Sequence, residues 1–229
     1  PGATLLQAKG SRLRLVMETD GSLSLIASKK SDVRNPDDLK GKNISVSGNT
    51  FVEYATDEVM KQACLHPGEV NKPEINNISL RLMMLEDGQI SASFLPGPAT
   101  AIALNNGHTA LLNTREMGLR CTGIVFSEKA ITEKDEEIRR FITGYNLGMK
   151  YLQTHPQNEW TEILVKEFGL QEKTAMQINL PDYRSATRPS YHDIEKIIAW
   201  LKSKGAIPDY YPGENLVDTT FIPGTLKPQ

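Results

Sequence analysis

Residues 43–63 read NISVSGNTFVEYATDEVMKQA, a short apolar strand pattern that passes directly into a helical one. The strand is predicted at 43–47, and the turn Gly48-Asn49-Thr50 starts the helix. The apolar face of this helix consists of Val52, Ala55, Val59 and Ala63. A strand followed at once by a helix is the repeating unit of α/β proteins.

Similar elements are found on both sides of this stretch. Upstream, apolar runs at 13–18 and 23–28 predict two strands. Downstream, the pattern predicts a helix capped by Ser79, a strand at 90–95, a helix at 98–106 and a short strand at 110–112. This alternation predicts a parallel sheet with right-handed crossovers.

The second half of the chain is predicted to be mostly helical after a strand at 121–127. Thr132, Asn158 and Ser190 are the predicted N-caps of three helices. The first of these helices carries an apolar stripe of Ile138, Phe141, Ile142, Tyr145, Met149 and Leu152. Such a stripe must cover a sheet, because leaving each large side chain in water costs roughly 1.5–3 kcal/mol.

Composition excludes several classes of function. A net charge of −2 with interleaved charges, and no Lys/Arg run, gives no reason to expect a nucleic-acid partner. The apolar runs are too short for a transmembrane segment. The four histidines and two cysteines share no ligand spacing, and Cys64 and Cys121 are interpreted as small buried residues. We therefore expect no metal, no cofactor and no catalytic residues.

Four segments resemble motifs of one family. Residues 37–46 (DDLKGKNISV) are similar to its DLKGKxIxV motif, and 86–94 (EDGQISASF) to its LxxGxIDA motif. Residues 95–98 (LPGP) are similar to LPEP, and 151–156 (YLQTHP) to YLxxNP. The chain thus resembles the type II periplasmic solute-binding proteins of ABC importers, in the nitrate, sulfonate, taurine and thiamine-pyrimidine branch.

Two positions depart from the family pattern. Ser91 replaces the Asp of GxIDA, and Gly97 replaces the Glu of PEP. If family members use that Glu to face the ligand, this protein lacks the acceptor, and its ligand differs accordingly.

The resemblance implies an α/β, two-lobed fold with parallel sheets flanked by helices. Residues 1–21 would be a remnant of lobe one and 22–118 an inserted lobe two. Residues 119–229 would return to lobe one and end in an irregular tail. Lobe one would be incomplete, because the family pattern places roughly eighty to a hundred residues before Pro1. We therefore expect an unpaired strand edge beside 13–18 and a large apolar patch.

The resemblance also implies a function. The protein would capture a small, anionic or polar organic solute between its lobes and deliver it to an ABC-transporter permease. It would be periplasmic, or extracytoplasmic and lipid-anchored, with the signal segment outside this sequence. Two alternatives stay open: a pyrimidine-synthase-like enzyme on the same scaffold, and the ligand-sensing domain of a larger regulatory protein. The enzyme branch carries a cysteine-rich motif, whereas this chain has two isolated cysteines.

The turn from strand to helix is the main candidate for ligand binding. Ser47, Gly48, Asn49, Thr50 and Phe51 lie where a helix N-terminus presents N–H groups and partial positive charge to an anion. Glycine permits close approach of a ligand. Alternatively, the Asn49 or Thr50 side chain only caps the helix.

Further candidates lie elsewhere in the chain. Phe94, Pro96 and Gly97 either contact the solute or form an ordinary strand end. Among the arginines weighed as partners of an anion (Arg120, Arg184 and Arg188), Arg184 is preferred. The strands at 19–25 and 119–124 are expected to run side by side as hinges, with hinge residues Thr19, Asp20, Gly21, Arg120 and Thr122.

Overall fold

The computed structural model describes residues 1–19, 21–120, 122–169, 171–176, 178 and 184–222, and these form two compact units. The first unit comprises Pro1–Gly21, Arg120–His155 and Asp182–Gln229, and the second Ser22–Leu119 and Pro156–Pro181. The strands are β1 (Leu13–Thr19), β2 (Leu23–Ala27), β3 (Ile44–Ser45), β4 (Ala92–Pro96), β5 (Thr109–Asn113) and β6 (Thr122–Ser127). The α-helices are α1 (Gly2–Ala8), α2 (Phe51–Gln62), α3 (Ile78–Asp87), α4 (Gly97–Asn105), α5 (Glu128–Glu133), α6 (Asp135–Thr154), α7 (Gln157–Phe168), α8 (Glu172–Met176) and α9 (Tyr191–Ser203), and a 3₁₀ turn spans Pro36–Leu39.

The second unit contains a four-stranded sheet in the order β3-β4-β2-β5. β3 runs parallel to β4, but β2 is antiparallel to both of its neighbours. The predicted all-parallel sheet is therefore wrong for one central strand. Helical connections keep β3, β4 and β5 in one direction, whereas β2 enters the sheet without a preceding crossover, so nothing forces it to run parallel.

Helices α3 and α4 cover this sheet and close its core. Ile26, Leu85 and Leu95 are at most 1% exposed, and they pack with Ile90 and Ala103. A polar pair is sealed inside the same sheet: the Ser45 and Ser93 side chains are fully buried, with their Oγ atoms 2.8 Å apart. The hydrogen bond satisfies both hydroxyls, and the pair holds β3 beside β4.

The segment 156–181 belongs to the second unit, although the sequence analysis assigned all of 119–229 to lobe one. Pro156 follows the end of α6 and redirects the chain. Helix α8 packs on both α7 and α4. Asn105 at the end of α4 donates a hydrogen bond to the Thr174 hydroxyl at 3.4 Å. These nonlocal contacts decide the membership of the segment.

The first unit is built on β1 and β6, which pair antiparallel. Val16 and Met17 of β1 are fully buried and pack with Ile138 and Ile142 of α6. The predicted stripe of α6 is thus partly confirmed, while Phe141 remains 45% exposed.

The expected unpaired edge beside 13–18 is not found. Leu15 N–H donates to the Leu216 carbonyl at 2.7 Å, and Asp218 N–H donates back to the Leu15 carbonyl at 3.0 Å. Glu18 N–H donates to the Thr187 carbonyl at 2.9 Å. The segments before and after α9 therefore cover this edge of β1. The sequence pattern of 13–18 does not predict this pairing, because its partners lie far away in the sequence.

Helix starts were predicted with mixed success. Thr50 and Ser190 cap α2 and α9 as predicted, whereas the cap of α3 is Asn77 and not Ser79. Neither Thr132 nor Asn158 is an N-cap, since Thr132 lies inside α5 and Asn158 inside α7. Their neighbours explain this, since Ser127 caps α5 and Pro156 is the N-cap residue of α7, two positions before Asn158.

The cysteine prediction also needs correction. Cys64 is exposed, with a positive φ of 53°, because it follows the end of α2. Cys121 lies outside the described residues. None of the helices in the described ranges is long and apolar enough to cross a membrane.

Candidate functional site

Two strand-to-helix turns leave the second unit's sheet at the same edge. β3 and β4 are parallel, with Ser45 opposite Ser93, so the segments that follow them emerge side by side. The carboxyl edge of parallel strands is where open α/β sheets bind ligands. The structure thus brings two groups of predicted ligand residues to one edge: Ser47, Gly48, Asn49, Thr50 and Phe51 in the first turn, and Phe94, Pro96 and Gly97 in the second.

The first turn, residues 47–51, satisfies several of its own donors within the protein. The Thr50 hydroxyl accepts from Val52 N–H at 3.2 Å and donates to the Ser47 carbonyl at 2.7 Å. Asn49 adopts a left-handed conformation with φ of 56°, and its N–H donates to Glu53 Oε2 at 2.7 Å. The start of α2 therefore already holds a carboxylate, supplied by the protein itself.

Negative charge surrounds this first turn. Glu53 is only 7% exposed, and its Oε1 lies 3.6 Å from Lys72 Nζ. The Glu74 carboxylate lies against Gly48, such that a Cβ added to Gly48 would be 2.9 Å from Glu74 Oε1. The close approach that glycine permits here is made by Glu74. The remaining polar groups of this turn suit a donor or a neutral part of a ligand better than an anion.

The second strand-to-helix junction, called the second turn and made of the last three residues of β4 and the first of α4 (residues 94–97), is open by comparison. Phe94 is fully buried and belongs to the core, so its side chain does not face solvent. Pro96 is the N-cap residue of α4 and gives no side-chain cap. Gly97 is exposed, and an added Cβ would meet no atom within 4 Å. The space beside the Gly97 α-carbon is thus open, whereas Ala99 further along the first turn of α4 is 8% exposed.

Arg81 is hydrogen-bonded to β4 next to this open turn and is not among the residues predicted from the sequence. It is 3% exposed, and its Nη1 donates to the Phe94 carbonyl at 3.0 Å. Within the described part of the chain, its buried Nε has no hydrogen-bond partner. Desolvation lowers the pKa of the Arg81 guanidinium. The sequence feature that could have indicated a buried Arg81 is its spacing, because Arg81 and the core residue Leu85 are four positions apart and share the buried face of α3.

The other predicted residues lie in the first unit. Arg184 is exposed there. Thr19 and Thr122 pair across β1 and β6 with their hydroxyl oxygens 3.1 Å apart, as predicted. The predicted strands at 19–25 and 119–124 do not otherwise run side by side, because β1 ends at Thr19 and β2 pairs with β4 and β5. Gly21 N–H donates to the Thr122 hydroxyl at 3.0 Å. Arg120 is exposed, and Asp20 falls outside the described residues. The hinge role of these residues stays a prediction.

Solved structures share this fold. The periplasmic aliphatic sulphonate binding protein SsuA from Escherichia coli matches with a TM-score of 0.79 at 12% identity, over 99% of this chain and 76% of that one. The alkanesulfonate-binding protein SsuA from Xanthomonas axonopodis pv. citri, bound to MOPS, matches with a TM-score of 0.76 at 18% identity, over 90% of this chain and 73% of that one. The chain thus has the type II periplasmic-binding-protein fold.

The same fold also occurs in an enzyme. The desulfurization enzyme DSZB matches with a TM-score of 0.66 at 12% identity, over 96% of this chain and 81% of that one. The fold by itself therefore does not separate binding from catalysis.

The family is established by sequence. The family model described as "NMT1/THI5 like" matches residues 5–159, and this chain belongs to that family. No curated protein matches the sequence significantly.

Proposed function

We propose that this protein captures a small anionic or polar organic solute and delivers it to the permease of an ABC importer. The observation that carries the proposal is the polar edge of the second unit, where the turns at 47–51 and 94–97 present backbone N–H groups beside the Ser47 and Asn76 side chains. Family membership and the fold shared with two sulfonate-binding proteins support it. The protein would act in the periplasm, or outside the cytoplasm on a lipid anchor.

Native mass spectrometry of protein purified without refolding tests this proposal. We expect a retained small molecule, whose mass then selects the solutes for titration calorimetry. Retention of no solute, together with no heat of binding for alkanesulfonates, nitrate, taurine, carboxylates or pyrimidines, would contradict it.

Variants of the first turn locate the site. Gly48→Val is expected to nearly abolish binding, because its side chain fills the turn and displaces the Glu74 carboxylate. Thr50→Ala is expected to weaken binding only modestly, since backbone groups make the contact. Affinity unchanged by Gly48→Val would remove residues 47–51 from the site.

An enzymatic role is the second candidate, because DSZB shares the fold. Incubating the retained solute with fresh protein separates the two roles. Recovery of the solute with unchanged mass supports transport, and a turnover product supports catalysis.

A further inference from the structure

We propose that an anionic group of the solute binds at the start of α4, on the N–H groups of Gly97 and Ala99, with the buried Arg81 guanidinium supplying the positive charge. This inference rests on the proposed function and names the part of the site that takes the negative charge. It makes Arg81 a specificity-determining residue.

The unbalanced charge of Arg81 is the first support. Among the described residues, its guanidinium makes one hydrogen bond, to the Phe94 carbonyl, and pairs with no carboxylate. Burying a cation is costly unless an opposite charge or several hydrogen bonds compensate for it. A single carbonyl dipole and a Nε without a partner compensate poorly, so the fold keeps a positive charge that an anion would balance.

The open start of α4 is the second and independent support. Within the part of the chain that the structure describes, neither Gly97 N–H nor Ala99 N–H has a partner outside the helix. Pro96 cannot cap them with a side-chain oxygen, and the space in front of Gly97 is empty. Gly97 is three residues after Phe94, whose carbonyl holds Arg81, so the charge and the free donors belong to the same strand end.

The neighbouring turn is unsuited to the same anion. The Glu53 carboxylate already accepts from Asn49 N–H, and Glu74 lies against Gly48. Lys72 lies near Glu53 but also pairs with Asp57, so the net charge beside this turn stays negative and repels an incoming anion, whereas the start of α4 has a buried cation behind it. The anionic end of the solute is therefore directed to α4, and a neutral or donor-bearing part to the turn at 47–51.

Amide NMR with methanesulfonate as the probe tests this assignment. In the wild-type protein we expect saturable shifts of the Gly97 and Ala99 amides and no comparable shifts of the Gly48 and Asn49 amides. Dimethyl sulfone, which is neutral and of similar shape, should leave all four unchanged. Larger shifts at Gly48 and Asn49, or no response of any amide, would overturn the inference.

Arg81 variants test the source of the charge. Arg81→Met should weaken methanesulfonate binding by at least about tenfold, and Arg81→Lys, which keeps the charge, should weaken it less. Arg34→Met, a change at an exposed arginine of the same unit, is the matched control and should bind like the wild type. Equal affinity of a folded Arg81→Met variant would refute the role of Arg81. If that variant does not fold, the affinity of Arg81→Lys and the amide shifts of the wild-type protein still test whether Arg81 and the start of α4 bind the anion.

Failure here is distinguishable from failure of the proposed function. A solute retained in native mass spectrometry, combined with shifts at the wrong turn, would reject the role of Arg81 and α4 alone. Absence of any retained or titrated solute would reject the proposed function itself.

Discussion

The turns at 47–51 and 94–97 have the same place in the fold but opposite chemistry. Each joins a strand of one sheet to the start of a helix, and the two strands are parallel neighbours. The first turn fills its helix start with the Thr50 hydroxyl and the Glu53 carboxylate, while the second leaves its donors open above Arg81. Topology therefore brings both turns to one edge of the sheet, and side chains from other elements decide the charge at each turn.

The largest expected effect on stability is that of a substitution at Phe94 in the second turn. It tests whether the ring packs in the core or contacts the solute. Phe94→Ala removes a fully buried ring and should lower the free energy of unfolding by about 3–5 kcal/mol. Urea denaturation followed by circular dichroism measures the loss. An unchanged midpoint would show that the ring does not pack in the core and would reopen a direct contact with the solute.

Glu53→Gln should make the first turn, residues 47–51, more like the second turn by removing its negative charge. It removes the charged acceptor of the Asn49 N–H, and we expect a loss of about 1–3 kcal/mol in urea denaturation. Glu74→Gln, at an exposed carboxylate beside the same turn, is the control and should leave stability unchanged. With Glu53 neutral, the Asn49 amide should begin to respond to methanesulfonate. No such response would mean that the carboxylate is not what excludes the anion.

Thr50→Ala tests the cap that only the first turn has. Loss of the hydroxyl that accepts from Val52 N–H should cost about 1 kcal/mol of stability. The matched control is Thr132→Ala, because the Thr132 hydroxyl bonds to a carbonyl within α5 and caps no helix start. Thermal unfolding of both variants measures the difference, and equal midpoints would contradict a capping role.

The smallest expected effect compares the two glycines. Gly97→Ala should stabilise the protein by about 0.5 kcal/mol, because the new methyl meets open space and the unfolded chain loses freedom. Gly48→Ala should gain less, because its methyl must displace the flexible end of Glu74. A destabilised Gly97→Ala variant in urea denaturation would show that the space at the start of α4 is not open.

Local chemistry explains which parts of the fold could be predicted. Side chains cap α2 at Thr50 and α9 at Ser190 through hydrogen bonds to residues two or three positions away, so the sequence alone reveals them. The edge carrying both turns was also predictable, since it follows from the order of strands and helices. The order and spacing of the four motifs indicate the family.

Contacts between distant residues decided the rest. The antiparallel direction of β2, the packing of α8 on α4 and the hydrogen bonds between Leu15 and the tail join segments far apart in sequence, and no local pattern encodes them. Arg81 belongs to this class, because its helix position was readable but its proximity to the Phe94 carbonyl was not. By itself, the sequence determined most of the elements, the starts of α2 and α9, and the family. Only the tertiary structure decided which turn is closed by carboxylates and which lies over a buried cation, because electrostatics depend on distances in space.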